Sequence, residues 1–226
     1  MSIVKKIAQY IGGMLLVAIG INISKLTRLG ISPVSSVPRA GELIWGFTLG
    51  TATIAVHLIC ILLQFLILRK RFRPVNVLQI VVGIAFGYII DLTGTDPNAF
   101  GHLLMGFPVP QTYLMRMLYM LVSVVLIGLG VYIYMKPGWV PMAADGLSKA
   151  VAEVTEKPFG NCKTVVDTCL VLIAAALQVI FLGGFSSFTG DKVVVREGTF
   201  IAAIFVGQVV KLCGKIFEKG SAGEGK

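Results

Sequence analysis

The chain has 226 residues, 56% of them hydrophobic and 14% charged, with a mean hydropathy of +0.86. A soluble domain carries about 25% charge, so this composition excludes a soluble fold, which would have to expose hydrocarbon to water. The net charge of +9 comes from basic residues that flank apolar segments rather than form a face, which points to membrane orientation and away from nucleic acid.

The first apolar run comes after Met1-Ser2-Ile3-Val4-Lys5-Lys6, the outline of a signal peptide. Asn22 and Lys25 stand where a small-residue cleavage site would be, so the run is read as an uncleaved first span, 7–24. A short stretch, 33–45, comes next. Ser32-Pro33 offers it a hydroxyl cap and a proline at the first helical position. Gly46 and Gly50 bracket the break before the second span, 49–68, and the third lies at 75–92. The fourth span is 112–135. A second short stretch, 141–155, opens on Pro141 in the same proline role. Its Ala143, Leu147, Ala150, Val151 and Val154 recur at helical spacing, with Asp145, Ser148, Lys149 and Glu153 between them. Lys157-Pro158-Phe159-Gly160 stops it, and the last spans are 164–182 and 198–213. Neither short stretch is long or apolar enough to cross a bilayer.

An internal repeat runs through these elements. Gly20, Gly30 and Pro33 match Gly128, Gly138 and Pro141 at one offset of 108. Gly50 and His57 match Gly160 and Asp167 at 110, and Gly87 and Asp91 match Gly207 and Lys211 at 120. The chain therefore reads as one membrane domain, 1–226, with repeat 1 at 7–93, repeat 2 at 112–217 and a flexible cytoplasmic tail at 218–226. Three spans per unit is odd, so the second copy enters the membrane inverted. The fold class is an all-α membrane protein of about six transmembrane helices, two inverted three-helix repeats, each with one short amphipathic or re-entrant helix. Residues 10–93 and 118–213 are expected to superpose about a two-fold axis in the membrane plane. With both termini inside, 14 of the 20 basic residues fall on the inner side. Lys25, Arg28 and Arg39 make the first outer segment fairly basic. Gly83 with Gly87, and Ala203 with Gly207, put small residues on one helix face, as do Gly12, Gly13 and Gly20 in the first span and Gly128 and Gly130 in the fourth. Such faces let helix backbones pack closely.

Ionisable groups inside a bilayer are costly, so those in or beside the spans are the first candidates for a solute pathway. His57 sits near the middle of the second span, and its repeat mate Asp167 within the first turns of the fifth. Lys163 precedes Asp167 by four residues and shares its face. Asp91 ends the third span, while Arg39, Glu42 and Asp145 belong to the short helices, with Ser32, Ser35 and Ser36 nearby. Each has a structural alternative. His57 would bond a core carbonyl, Lys163 and Asp167 would pair at the membrane edge, Asp91 would meet headgroups and Asp145 would cap a turn. The pathway reading predicts a polar cavity between the units, lined by the starts of both short helices and by His57, Asp167 and Lys163. Helix starts at that depth favour an anionic or strongly polar solute. Asp167 opposite His57 would make their attraction depend on protonation near neutral pH.

Cys60, Cys162, Cys169 and Cys213 have no metal or redox spacing. No metalloprotease, nucleophile-elbow or phosphate-loop motif occurs, and His57 and His102 are far apart in sequence. The chain is read as no enzyme, with no cofactor and no metal.

The chain resembles the bacterial YczE/YyaS/YitT family of integral membrane proteins, in its YczE-like branch. Leu29-Gly30-Ile31-Ser32-Pro33, Gly50, Arg69-Lys70-Arg71, Gly83, Gly87, Asp91, and Pro141 with Asp145-Gly146-Leu147 carry the resemblance. Val34-Ser35 stands where the family pattern has a Trp-Asp or similar acidic pair. The resemblance implies a bacterial plasma-membrane protein of largely undefined activity. The expected function is a transporter or permeation protein for a small polar or anionic solute. The alternative is a non-transporting structural or regulatory protein acting through partners. The expected partners are the lipid bilayer, the solute and a second copy of the chain, with no nucleic acid. Entry of the short helices into the bundle would favour a pathway, and a surface position would favour the alternative.

Overall fold

The computed structural model of the protein describes residues 3–95, 99, 101, 103–104, 106–183 and 192–223. His102 lies outside them, as do parts of the loop before the fourth span and of the segment before the sixth. Among the described residues the chain is all helical. The elements are α1 (Ile3–Thr27), α2 (Pro33–Trp45), α3 (Leu49–Leu68), α4 (Leu78–Leu92), α5 (Tyr113–Met135), α6 (Ala143–Thr155), α7 (Phe159–Phe181) and α8 (Glu197–Gly223). Two 3-10 turns, Arg69–Arg71 and Pro74–Val77, join α3 to α4. Six helices, α1, α3, α4, α5, α7 and α8, are long and apolar enough to cross a membrane. Their outward surfaces carry Leu62, Phe65, Leu114, Leu172, Ile180 and Phe200, each more than half exposed. A surface of this kind is stable in lipid rather than water. The protein is an all-α, multi-pass membrane protein.

Small residues set the closest helix crossings. α1 and α5 run antiparallel. A Cβ on Gly13 would lie 2.6 Å from the Tyr134 amide, and one on Gly20 would lie 3.0 Å from the Ser123 carbonyl. α3 and α4 form an antiparallel hairpin in which a Cβ on Gly50 would collide with the Gly87 carbonyl. In both pairs only glycine permits the approach that lets dispersion contacts hold the helices together. The sixth span differs: a Cβ on Gly207 would meet nothing within 4 Å. Its motif is the same as at Gly83 and Gly87, but α8 turns another face to α5, where Val209 packs over Gly128.

The short helices lie inside the bundle, each packed on both α3 and α7. Each has 13 residues, about 20 Å of helix against a hydrocarbon core of about 30 Å. Each is buried along its first half: Pro33, Ser35, Ser36 and Pro38 in α2, and every residue from Ala143 to Ser148 in α6. An apolar cluster of Cys60, Ile61, Ala143, Leu147, Val166 and Leu170, with Val37 against it, joins α2, α3, α6 and α7 at the centre.

Some element ends differ from the sequence reading. Pro33 is the first residue of α2, but the Ser32 hydroxyl donates to the Ser35 hydroxyl at 3.2 Å rather than capping an amide. Pro141 stands one residue before the α6 N-cap, Met142, instead of at the first helical position. α6 ends on Glu156 in the left-handed conformation (φ 55°), ahead of Pro158. α8 extends to Gly223.

The segment after α1 is pinned beneath the second half of the chain. Gly30 adopts φ 103°, a conformation open to glycine. Its neighbours bond across: the Gly198 amide donates to the Leu29 carbonyl at 2.7 Å, and the Ile31 amide to the Val194 carbonyl at 3.2 Å. The Gln178 carbonyl oxygen accepts from the Val194 and Val195 amides at 3.0 and 2.8 Å, which fixes the approach to α8.

Candidate functional site

The first turn of α6 places Asp145 in the bundle interior, close to a helix N-terminus that favours a negative charge. The Tyr134 hydroxyl at the end of α5 donates to one of its carboxylate oxygens at 2.6 Å. Lys163 of α7 donates to the other at 2.8 Å. Lys163 also pairs with Asp167, one turn on, at 3.3 Å. Three helices thus contribute to one network in which a single cation holds two carboxylates. The expected Lys163–Asp167 pair is present. Asp145 joins it as the stronger partner, and Tyr134 is an addition that the sequence candidates do not include.

His57 lies on α3 and is 2% exposed. Its ring stacks on Phe86, centroid to centroid 6.0 Å and 8° from parallel, over Gly83 of α4. A Cβ at Gly83 would stand 3.0 Å from the imidazole Nδ1, so the glycine makes the room. Neither ring nitrogen has a hydrogen-bond partner among the described residues. A buried polar group without a partner costs about 1–3 kcal/mol. The carbonyl bond of the structural alternative is therefore not made, and Asp167 is engaged with Lys163 rather than with His57.

Two turns further along the same face of α3 is Gln64, about 10 Å away by helix rise. Its amide clasps that of Gln79 on α4, each donating to the other at 2.9 and 3.0 Å, and Gln64 also donates to the Ala143 carbonyl at 3.0 Å. Both glutamines are 1% exposed. Gly146 of α6 sits on the clasp; a Cβ there would lie 2.6 Å from the Gln79 carbonyl oxygen.

Beside this clasp is a cavity of about 230 Å³ between α6 and the α3–α4 connection. Gln64 and Gln79 line its inner end, and Arg71, Arg73, Lys149 and Glu153 line its charged part. A second space of about 80 Å³ shares Pro141 and Lys149 with it and reaches Tyr134. Of the sequence-predicted lining only the start of one short helix takes part; His57, Asp167 and Lys163 do not line either space.

The remaining candidates gather elsewhere. Glu42 of α2 is buried and accepts from Lys25 of α1 and from Arg39 at 2.5 Å. One carboxylate thus serves two of the three cations, Lys25, Arg28 and Arg39, that make this segment basic. Ser35 is buried beside Ser32, and the Ser36 hydroxyl donates to the Pro33 carbonyl at 2.6 Å, with the Leu170 carbonyl of α7 3.4 Å away. Asp91 is 9% exposed and is engaged within the bundle. It accepts from the Gly50 amide at 2.8 Å and from the Thr48 hydroxyl at 2.7 Å, and so caps α3 from the end of α4. Asp91→Ala is expected to cost about 1–2 kcal/mol, the scale of a lost helix cap, measured by thermal unfolding in detergent, with the Asp145 network intact.

The DUF6198 family model, described as a family of unknown function, matches residues 4–215, and the chain belongs to that family. No curated protein and no solved structure matches the chain.

Proposed function

We propose that this DUF6198 member is a transporter or permeation protein for a small polar or anionic solute. The observation that carries the reading is the entry of both short helices into the bundle, where their first halves are buried between α3 and α7. A scaffold protein has no need to place helix starts, an unpartnered histidine and a three-member ionic network inside its spans. Pathways in membrane proteins need such groups. The cavity beside Gln64 and Gln79 is the mouth of the route, the glutamine clasp closes it, and His57 lies beyond the clasp on the same helix face.

The two halves of the chain are read as inverted repeats in a bacterial plasma membrane, with both termini cytoplasmic. The exchange of partners supports this: α2 packs on α7 as α6 packs on α3, and the equivalent first spans α1 and α5 run antiparallel. The resemblance to the YczE/YyaS/YitT proteins belongs to the same proposal. A topology reporter fused after Arg73 is expected to report the cytoplasm, and a periplasmic signal would overturn the placement of both termini in the cytoplasm. For transport, purified protein is screened against small polar and anionic solutes by thermal unfolding, and binders are then tested for uptake into proteoliposomes. A ligand at 100 times its Kd stabilises by about 2.7 kcal/mol. Binding and then protein-dependent uptake are expected, whereas binders that never accumulate would overturn the reading.

A further inference from the structure

We propose that the cavity between the α3–α4 connection and α6 binds a phosphate-bearing anion, with Arg71, Arg73 and Lys149 as its cations. The inference deepens the transport reading by naming the class of anion at the mouth; binding itself stands without that reading, and only passage of the bound anion rests on it.

Basic residues at a short connection ordinarily record membrane orientation and need no particular direction. Here the direction is selective. The run Arg69-Lys70-Arg71-Phe72-Arg73 has four basic residues, yet only Arg71 and Arg73 line the cavity. Phe72 between them is the anchor. It packs edge-on against Phe65 at 5.5 Å and against the central apolar cluster, so its two neighbours are held beside the opening. Arg69 at φ 48° turns the chain, and the Asn76 amide closes the next turn on the Arg73 carbonyl at 2.9 Å. Lys149 arrives from a different helix, on the exposed side of α6. Among the described residues none of the three cations is in a salt bridge, whereas the buried carboxylates Glu42 and Asp145 and the half-buried Asp167 all have partners.

The chemistry that fits is an anion with several oxygens. Guanidinium groups present planar forks that match phosphate oxygens two at a time, and an ammonium adds a point charge. Glu153 is the one acid in the lining, which leaves two positive charges in excess. At about 230 Å³ the space is below the range of about 300–1,000 Å³ usual for drug-sized ligands. It suits a phosphate group with a small substituent. Exposed Val75 lines the cavity, and Val77 and Leu78, which follow it closely in the chain, are exposed apolar residues too, so the phosphate would come either from a soluble compound or from a lipid headgroup.

The test is thermal unfolding of the full chain in neutral detergent, titrated with inorganic phosphate and, separately, with phosphatidylglycerol against phosphatidylcholine. A saturable rise in Tm is expected with phosphate, with phosphatidylglycerol, or with both. Phosphate alone assigns a soluble compound, and phosphatidylglycerol alone a headgroup. The double variant Arg71→Gln/Arg73→Gln should weaken apparent affinity at least about tenfold, equal to about 1.4 kcal/mol, and Lys149→Gln alone should weaken it in the same direction. Lys70→Gln, in the same turn but outside the cavity, should change it less than about twofold, or about 0.4 kcal/mol. No saturable shift with any ligand, or an equal loss in Lys70→Gln, overturns the site. If the double variant does not fold, the Lys149→Gln and Lys70→Gln pair decides alone. Binding without uptake would remove the transport reading and leave the site; uptake without this binding would do the reverse.

Discussion

Asp145→Ala is expected to lower the stability of the protein by about 2–3 kcal/mol, read from thermal or denaturant unfolding in detergent. The residue is 9% exposed and satisfies two donors from two other helices. Removing one member of a buried ion pair costs about 3–5 kcal/mol when the other charge is stranded. Lys163 is not fully stranded, because it keeps Asp167 at 3.3 Å and its side chain is 34% exposed, which brings the loss to or just below the low end of that range. The Tyr134 hydroxyl, by contrast, loses its carboxylate acceptor in the bundle interior and adds to the cost. Asp167→Asn should cost clearly less, since Lys163 then retains the shorter contact to Asp145. Equal losses in the two variants would show that the network is not ordered around Asp145.

His57→Leu is expected to have the opposite character. Stability should be unchanged or rise by about 1–2 kcal/mol, because the substitution removes a buried polar group that has no protein partner among the described residues. Leucine adds little volume, and Phe86 still packs against it. Transport, once a solute is in hand, should fall by about tenfold or more, the effect of about 1.4 kcal/mol lost along the pathway. A stability loss above about 2 kcal/mol would mean that the imidazole is bonded in the folded protein and serves the structure.

The spans are legible in the sequence because an apolar run of bilayer length has few other uses, and the short helices because Pro33 and the spacing of Ala143, Leu147 and Val151 announce them. Their burial is not legible, since an amphipathic stretch reads the same on a membrane surface as inside a bundle. The Lys163–Asp167 pair comes from spacing along one helix. Asp145 and Tyr134 join it through tertiary packing, which no local period records. Gln64 and Gln79 carry a usable signal: uncharged amides in otherwise apolar runs are costly in hydrocarbon as well, and attention to ionisable groups alone passes over them. Ala203 and Gly207 show the converse. The motif is genuine as sequence, but Gly207 faces open space, because a small-residue face states that close packing is allowed and not that it occurs. In the sequence Arg71 and Arg73 carry only an orientation signal, and the lining of a cavity depends on where Phe72 anchors the turn.

The proposed route requires His57 to be connected to water through the cavity at Arg71, Arg73 and Lys149. It is tested most directly by cysteine accessibility in membranes. Cys60, Cys162, Cys169 and Cys213 are replaced by alanine, and single cysteines are introduced as Lys149→Cys, Gln64→Cys, His57→Cys and Ala18→Cys. Ala18 is fully buried in the apolar cluster that α1 shares with α4 and α5 and serves as the dry reference. Each variant is exposed to a charged, membrane-impermeant thiol reagent from either side. Labelling is expected from the cavity's side at all three route positions, fastest at 149, slower at 64 and slowest at 57, with position 18 inert. Labelling at 149 with 64 and 57 as inert as 18 would contradict it.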